Sequence, residues 1–242
     1  MNRNFTQQLL LICFLSITLP VNGNPQEQTK TDSIQSIYHP SNQDTLGLPT
    51  LSARYEIRSA SQNHEWFIDR KMNVISTFNG DNQRGEIWTR DHRGDVEYTR
   101  VFMEDKMLVE YTTGELKTQN KLPDWNQLSS IFDPKVIESL KISGEKMHFG
   151  EKVLVLEGKI NNVQTTIWWI PKLKIPSYVL QKQGNVDTSM TLKEIYNQTP
   201  ITWKWLDTAT YDSFSRIDAS DVGDMESDPF VKKLLEIDGH VH

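Results

Sequence analysis

The 242 residues carry 26 basic and 32 acidic side chains, a formal charge of −6, and a single cysteine. No stretch is basic enough for dense phosphate contacts, which argues against nucleic-acid binding. Cys13 lies in a segment expected to be removed, so the remaining chain has no disulfide framework, no thiol nucleophile and no thiolate metal site.

Residues 1–23 read as a secretory signal peptide, with Arg3 in the n-region, an apolar run from Leu9 to Leu19, and Val21 and Gly23 ahead of the cleavage point. The run is shorter than the roughly 20 residues that span a bilayer, so the protein is not expected to be membrane-spanning. Leu11 and Ile12 precede Cys13, whereas an acylated cysteine follows a small residue; a lipid-anchored form is the lesser alternative. The expected location is periplasmic or secreted. Residues 24–49 are linker-like, with a short helix expected at Ile34, Ile37 and Tyr38 after the cap Asp32.

From Leu51 to Tyr111, six β-type runs recur between turn signals such as Asn79-Gly80-Asp81-Asn82, Arg93-Gly94-Asp95 and Thr113-Gly114. Runs joined this tightly pair antiparallel. In the fifth, alternation places Val96, Tyr98, Arg100 and Phe102 on one side. Arg100 has two readings: a stem laid on aromatic neighbours with its head on solvent or a carboxylate, or a cavity arginine that engages a ligand's carbonyl or carboxylate.

The period then changes. Trp125, Leu128 and Ile131, with Phe132, lie at helical spacing, and Asp133-Pro134 opens a second helical face of Val136, Ile137 and Leu140. Two short helices ending near Gly144 are expected. Strands resume at Glu151 to Gly158, Val163 to Pro171, Ser177 to Gln183 and Thr188 to Tyr196, with Pro171 and Pro176 bracketing a stiff connection. About ten strands with an embedded helical pair make an α+β arrangement. The hairpin from Thr165 to Gly184 is apolar on both faces, Ile167 and Trp169 on one and Trp168 and Ile170 on the other, so both need cover. The helices between Trp125 and Leu140 are one candidate cover; Trp203, Trp205 and the last helix are the other.

Residues 197–242 form an acidic extension, with nine acidic and three basic side chains from Asp207 onward. Asn197-Gln198-Thr199 matches a glycosylation acceptor. Trp203 and Trp205 are expected to dock the extension on the sheet. A last helix is expected from Asp228-Pro229, presenting Phe230, Leu234 and Ile237 and stopping at Gly239.

No catalytic signature is present: the six histidines lack zinc spacing, no serine sits in a nucleophile elbow, and no glycine-rich phosphate loop occurs. Asp218, Asp221, Asp224, Glu226 and Asp228 lack the spacing of a calcium loop and read as a solvated acidic turn in which Asp221 and Asp228 cap helices. Together with Met225, His240 and His242 they are at most a loose metal site. No cofactor is expected. The candidate ligand-binding set is Trp66, Trp88, Tyr98, Arg100, Phe102, Trp168, Trp169 and Tyr178, which are too many large rings for one layer; ordinary core packing is the competing reading.

The order of elements, a signal peptide, a short N-terminal helix, meandering strands, two helices, then the tryptophan- and proline-containing hairpin of Ile167 to Gln181 followed by Thr191-Leu192-Lys193-Glu194-Ile195, resembles the periplasmic lipoprotein-carrier group, LolA/LolB-like and RseB-like. The resemblance covers about Ser52 to Tyr196 and excludes the acidic extension. It implies a strongly curved antiparallel β-sheet, a half-barrel over residues 50–196 with helices on its concave face, that shelters an acyl chain, a lipid or a lipidated protein. A non-enzymatic carrier is the function it implies. An envelope module that recruits a protein partner through the acidic extension is the alternative.

Overall fold

The computed structural model describes residues 48–59 and 62–238. The expected signal peptide, the linker with its short helix, Gly239 and the terminal histidines lie outside the described residues. No helix among the described residues is long and apolar enough to cross a membrane. The chain divides into two compact units, one containing Pro123–Ser189 and the other Pro49–Leu122 with Met190 onward. Both are built mainly of antiparallel strands with a few short helices, as the α+β expectation requires.

In the second of these units the six expected runs form β1 (Leu51–Ser59), β2 (Gln62–Arg70), β3 (Val74–Asn79), β4 (Arg84–Arg90), β5 (Val96–Phe102) and β6 (Met107–Tyr111). Each pairs antiparallel with the next. The register puts Tyr55, Trp66, Ile68, Ile75, Trp88, Tyr98, Arg100, Phe102 and Val109 on one face, and Phe67, Phe78, Val101 and Leu108 on the other. Gly85 is opposite Phe78, where an added methyl group would lie 2.9 Å from the Thr77 carbonyl oxygen.

Thr113-Gly114 opens a helix, α1 (Thr113–Thr118), and not the expected turn. The reason is a capping box. The Thr112 hydroxyl accepts from the Glu115 amide at 3.3 Å, and the Glu115 carboxylate accepts from the Thr112 amide at 2.7 Å. Leu116 is fully buried and anchors the helix.

The acidic extension is built into this unit. Trp203 and Leu206 pack with Phe67 and Phe78, joined by Trp205, and Tyr211 packs with Val101 and Leu108. A short strand that the sequence analysis does not anticipate, β12 (Ser215–Asp218), then pairs parallel with β6, Ile217 opposite Val109. The last helix (Pro229–Asp238, α4 below) lays Phe230, Leu234 and Ile237 against Phe102 and Val109. The extension therefore covers one face, completes the β6 edge and returns on the opposite face. Asp228 caps the last helix, accepting from the amides of Phe230 (2.7 Å) and Val231 (3.1 Å). Asp221 lies inside a 3-10 turn (Ala219–Asp224) and is not its cap. Trp203, Trp205 and the last helix thus find their partners on β2, β3, β5 and β6.

The other unit opens with α2 (Trp125–Ser130), capped by Asp124, and α3 (Pro134–Ser139), capped by Asp133 with Pro134 at its first position. Ile131, the first of the three residues between them, sits at φ 69°. The second helix stops at Ser139, short of the expected Gly144, because Leu140 turns extended and the chain enters β7 (Lys141–His148). α3 lies against β8 (Glu151–Ile160), and Leu140 approaches Gly158 so closely that an added methyl group there would be 2.7 Å from its Cδ2. β9 (Val163–Ile170) and β10 (Ile175–Gln183) follow, and β7 to β10 pair consecutively antiparallel. β11 (Val186–Tyr196) begins in this unit and continues into the other. α4 is the helix Pro229–Asp238.

Pro176 does not bracket the connection; it lies inside β10, opposite Trp169, where a bulge between Pro176 and Tyr178 accommodates a residue with no donor. The two faces of the hairpin differ. Ile167, Trp169 and Val179 are buried on one; on the other Ile170 and Ile175 are buried at the turn, whereas Trp168, Tyr178 and Leu180 are only half-buried.

Candidate functional site

In the unit of β1 to β6, the strand period gathers five of the eight candidate residues on one face. Trp88 and Tyr98 are cross-strand partners whose rings stack at 3.9 Å and 16°, and Tyr111 adds a third ring 5.2 Å from Tyr98. Phe102 meets Phe230 of α4 edge-on at 5.1 Å. Trp66 lies further along the same face against Tyr55, centroids 5.7 Å apart.

Two charged groups sit among these rings. Glu86, half-buried, accepts from the Tyr98 hydroxyl at 3.0 Å and from Trp88 Nε1 at 3.3 Å. Burial pushes its carboxyl above the usual carboxylate range, and these hydrogen bonds with the Arg100 charge only partly offset that. Burial also raises the Tyr98 phenol, helped by the Glu86 charge. The Arg100 guanidinium, 18% exposed, lies 5.3 Å from the Phe102 ring centroid and donates two parallel hydrogen bonds, 2.8 and 2.9 Å, to the Asp238 carboxylate at the end of α4. Burial alone would lower its pKa, but the Asp238 hydrogen bonds and the Tyr98 and Asp238 charges reverse the shift. The first reading of Arg100 is therefore the one realised, with the carboxylate supplied by the chain itself.

Arg84, the cross-strand partner of Phe102, has its guanidinium 5.8 Å from the same ring centroid. Burial and the like charge of Arg100 lower its pKa. Among the described residues it makes no ion pair. Glu86 and Arg84 are not among the candidate residues, but both share the Trp88 side of β4 and the same alternation points to them.

The other unit holds the remaining three candidates. Trp169 is core, 2% exposed. Trp168 and Tyr178 form a half-open pair at 4.6 Å, joined by His148 (5.4 Å from Trp168) and by Lys146, whose Nζ is 3.0 Å from the Trp168 ring centroid. Burial and the Lys146 charge hold the imidazole below its usual pKa. Lys146 and His148 were missed because β7 was. Among the described residues no three His, Cys, Asp or Glu side chains are grouped to hold a metal ion.

No family model and no curated protein matches the chain. Solved structures do. PNGF-II is 11% identical with a TM-score of 0.41, over 73% of this chain and 33% of its own. The complex of Pseudomonas aeruginosa MucA and MucB is 11% identical with a TM-score of 0.38, over 69% of this chain and 58% of the matched one. An outer membrane lipoprotein-sorting protein domain from Vibrio parahaemolyticus is 12% identical with a TM-score of 0.29, over 68% and 92%. The chain spans about a third of PNGF-II and less than two thirds of the MucB chain.

Proposed function

We propose that this is an exported, non-enzymatic binding or carrier protein that holds an apolar ligand, a lipid or acyl chain, against the half-buried rings of Tyr98 and Tyr111, which the buried Trp66, Trp88 and Phe102 back from the core. The observation that carries this reading is the pairing of apolar rings with guanidinium groups on one face: Arg100 holding a carboxylate, and Arg84 beside Phe102 without an ion pair among the described residues. A stacked aromatic surface rewards an apolar chain, and a half-buried guanidinium fixes an anionic head. Trp168 and Tyr178 belong to a separate, half-open surface, and Trp169 to the core.

The test is extraction of lipid from the purified protein, together with titration of an apolar fluorescent probe and its displacement by a long-chain fatty acid. Extractable lipid, or displacement that weakens in Arg84→Gln while neutral probe binding persists, supports the reading. Absence of lipid together with absence of probe binding overturns it. The alternative, recruitment of a partner by the acidic extension, is less favoured because Trp203, Leu206, Tyr211, Ile217, Val231 and Leu234 of that extension are buried in the fold.

A further inference from the structure

The hairpin that joins β7 and β8 turns on two residues, Phe149 and Gly150, since His148 pairs with Glu151. Both lie at positive φ, 54° and 71°. Two-residue hairpin turns need that backbone and favour Asn, Asp and Gly there. The following hairpin makes the same kind of turn with Asn161 and Asn162, at φ 49° and 66°. Phe149 thus holds a conformation unfavourable for its residue type. No burial compensates, because its side chain is 41% exposed, and Met147 two residues earlier is 68% exposed. A site where asparagine would serve carries instead a ring that gains by leaving water.

Polar and charged groups are layered behind this tip. His148 contacts the Phe149 ring at 4.8 Å and Trp168 at 5.4 Å, Tyr178 lies beyond Trp168, and Lys146 covers the indole. Lys152 pairs with Glu145 at 2.7 Å and Lys172 with Glu151 at 2.8 Å. By register, Lys146, Lys152, Lys172 and Lys174 lie at the tip's end of the strands against Glu145 and Glu151, whereas Lys141, Lys159 and Lys182 lie toward the other end, so the tip's end keeps an excess of positive charge in an acidic protein. Apolar side chains outermost, then indole and phenol, then lysines on long apolar stems, is the order of groups that a bilayer interface accommodates.

We propose that the β7–β8 tip, backed by Trp168 and Tyr178, is a docking surface for an anionic lipid bilayer, with Phe149 and Met147 entering the acyl boundary while the lysines meet the phosphates. Charge complementarity to anionic headgroups sets the occupant. An acidic protein would use the lysines but has no need of an exposed ring in an unfavourable turn.

The experiment is co-sedimentation of the full chain with vesicles of phosphatidylcholine plus phosphatidylglycerol, and with phosphatidylcholine alone. Binding to the anionic vesicles is expected to be stronger by about tenfold or more and to weaken with salt. Phe149→Asn should weaken it by about tenfold or more while the melting temperature stays the same or rises, because Asn suits the turn. Should Phe149→Asn misfold, Met147→Ser, at an exposed strand position, decides by the same loss. No binding of the unaltered chain to anionic vesicles, or unchanged binding of the variants, overturns the proposal. So does equally tight binding of soluble poly-glutamate that is indifferent to Phe149, which would assign the surface to an acidic protein.

Discussion

Glu86 shows how a carboxylate is held among aromatic rings. Tyr98 and Trp88 donate to it, yet burial keeps its carboxyl above the ordinary range. The folded state therefore binds this proton more tightly than the unfolded chain does. The group's contribution to stability is fully present below the ordinary carboxylate pKa, is lost as pH rises from that value through the raised one, and is level above it. Glu86→Gln keeps an acceptor for Tyr98 and removes the titration. Thermal melts from about pH 4 to pH 7 should show a flatter profile for the variant, with the gain at the neutral end; parallel profiles would contradict the assignment. The alternation that identified Trp88 and Tyr98 also places Glu86, but nothing in residue order reveals that Trp88 and Tyr98 both turn their donors toward it.

Individual elements divide between those that residue order makes plain and those it hides. β1 to β6 were legible because β-branched and aromatic residues alternate between glycine- and asparagine-containing turns, and α4 because Asp228, Pro229 and its apolar spacing agree. β7 was hidden because Lys141-Ile142-Ser143-Gly144 follows a helical pattern without a break, and α1 because Thr-Gly is also a turn pair. β12 is too short to announce itself. Of the candidate ligand residues, those on β4 and β5 proved to share a face, while the Asp238 partner of Arg100 comes from an element whose apolar spacing points only to Ile237. Within α4, packing should outweigh charge. Leu234→Ala, at a fully buried position against Phe102 and Val109, is expected to cost about 2–5 kcal/mol. Asp238→Ala, which frees the partly solvated Arg100 head, should cost about 1–2 kcal/mol. Urea unfolding of the two variants checks the ranking, and an equal or reversed order would mean that the ion pair holds the helix.

At the scale of the whole molecule, the parallel pairing of Met107 with Ser215 carries a consequence in time. The strands β7 to β10 are encoded by one continuous stretch and close through successive hairpins with two- to four-residue turns. The other unit is assembled from chain on both sides of that stretch, and β6 has no partner on its outer edge until the residues after Phe214 exist. Contacts distant in sequence form slowly, because loop closure must precede them. A chain that emerges from its N-terminal end would thus complete the lysine-rich hairpins first and leave Phe102 and Val109 uncovered until the last helix arrives. Pulse-labelled hydrogen exchange during refolding should find amides of β8 and β9 protected before those that join β6 to β12; simultaneous protection would show that the two units fold as one. The acidic segment is then the closing step of assembly, and the interval before it arrives is when the protein is most open to aggregation.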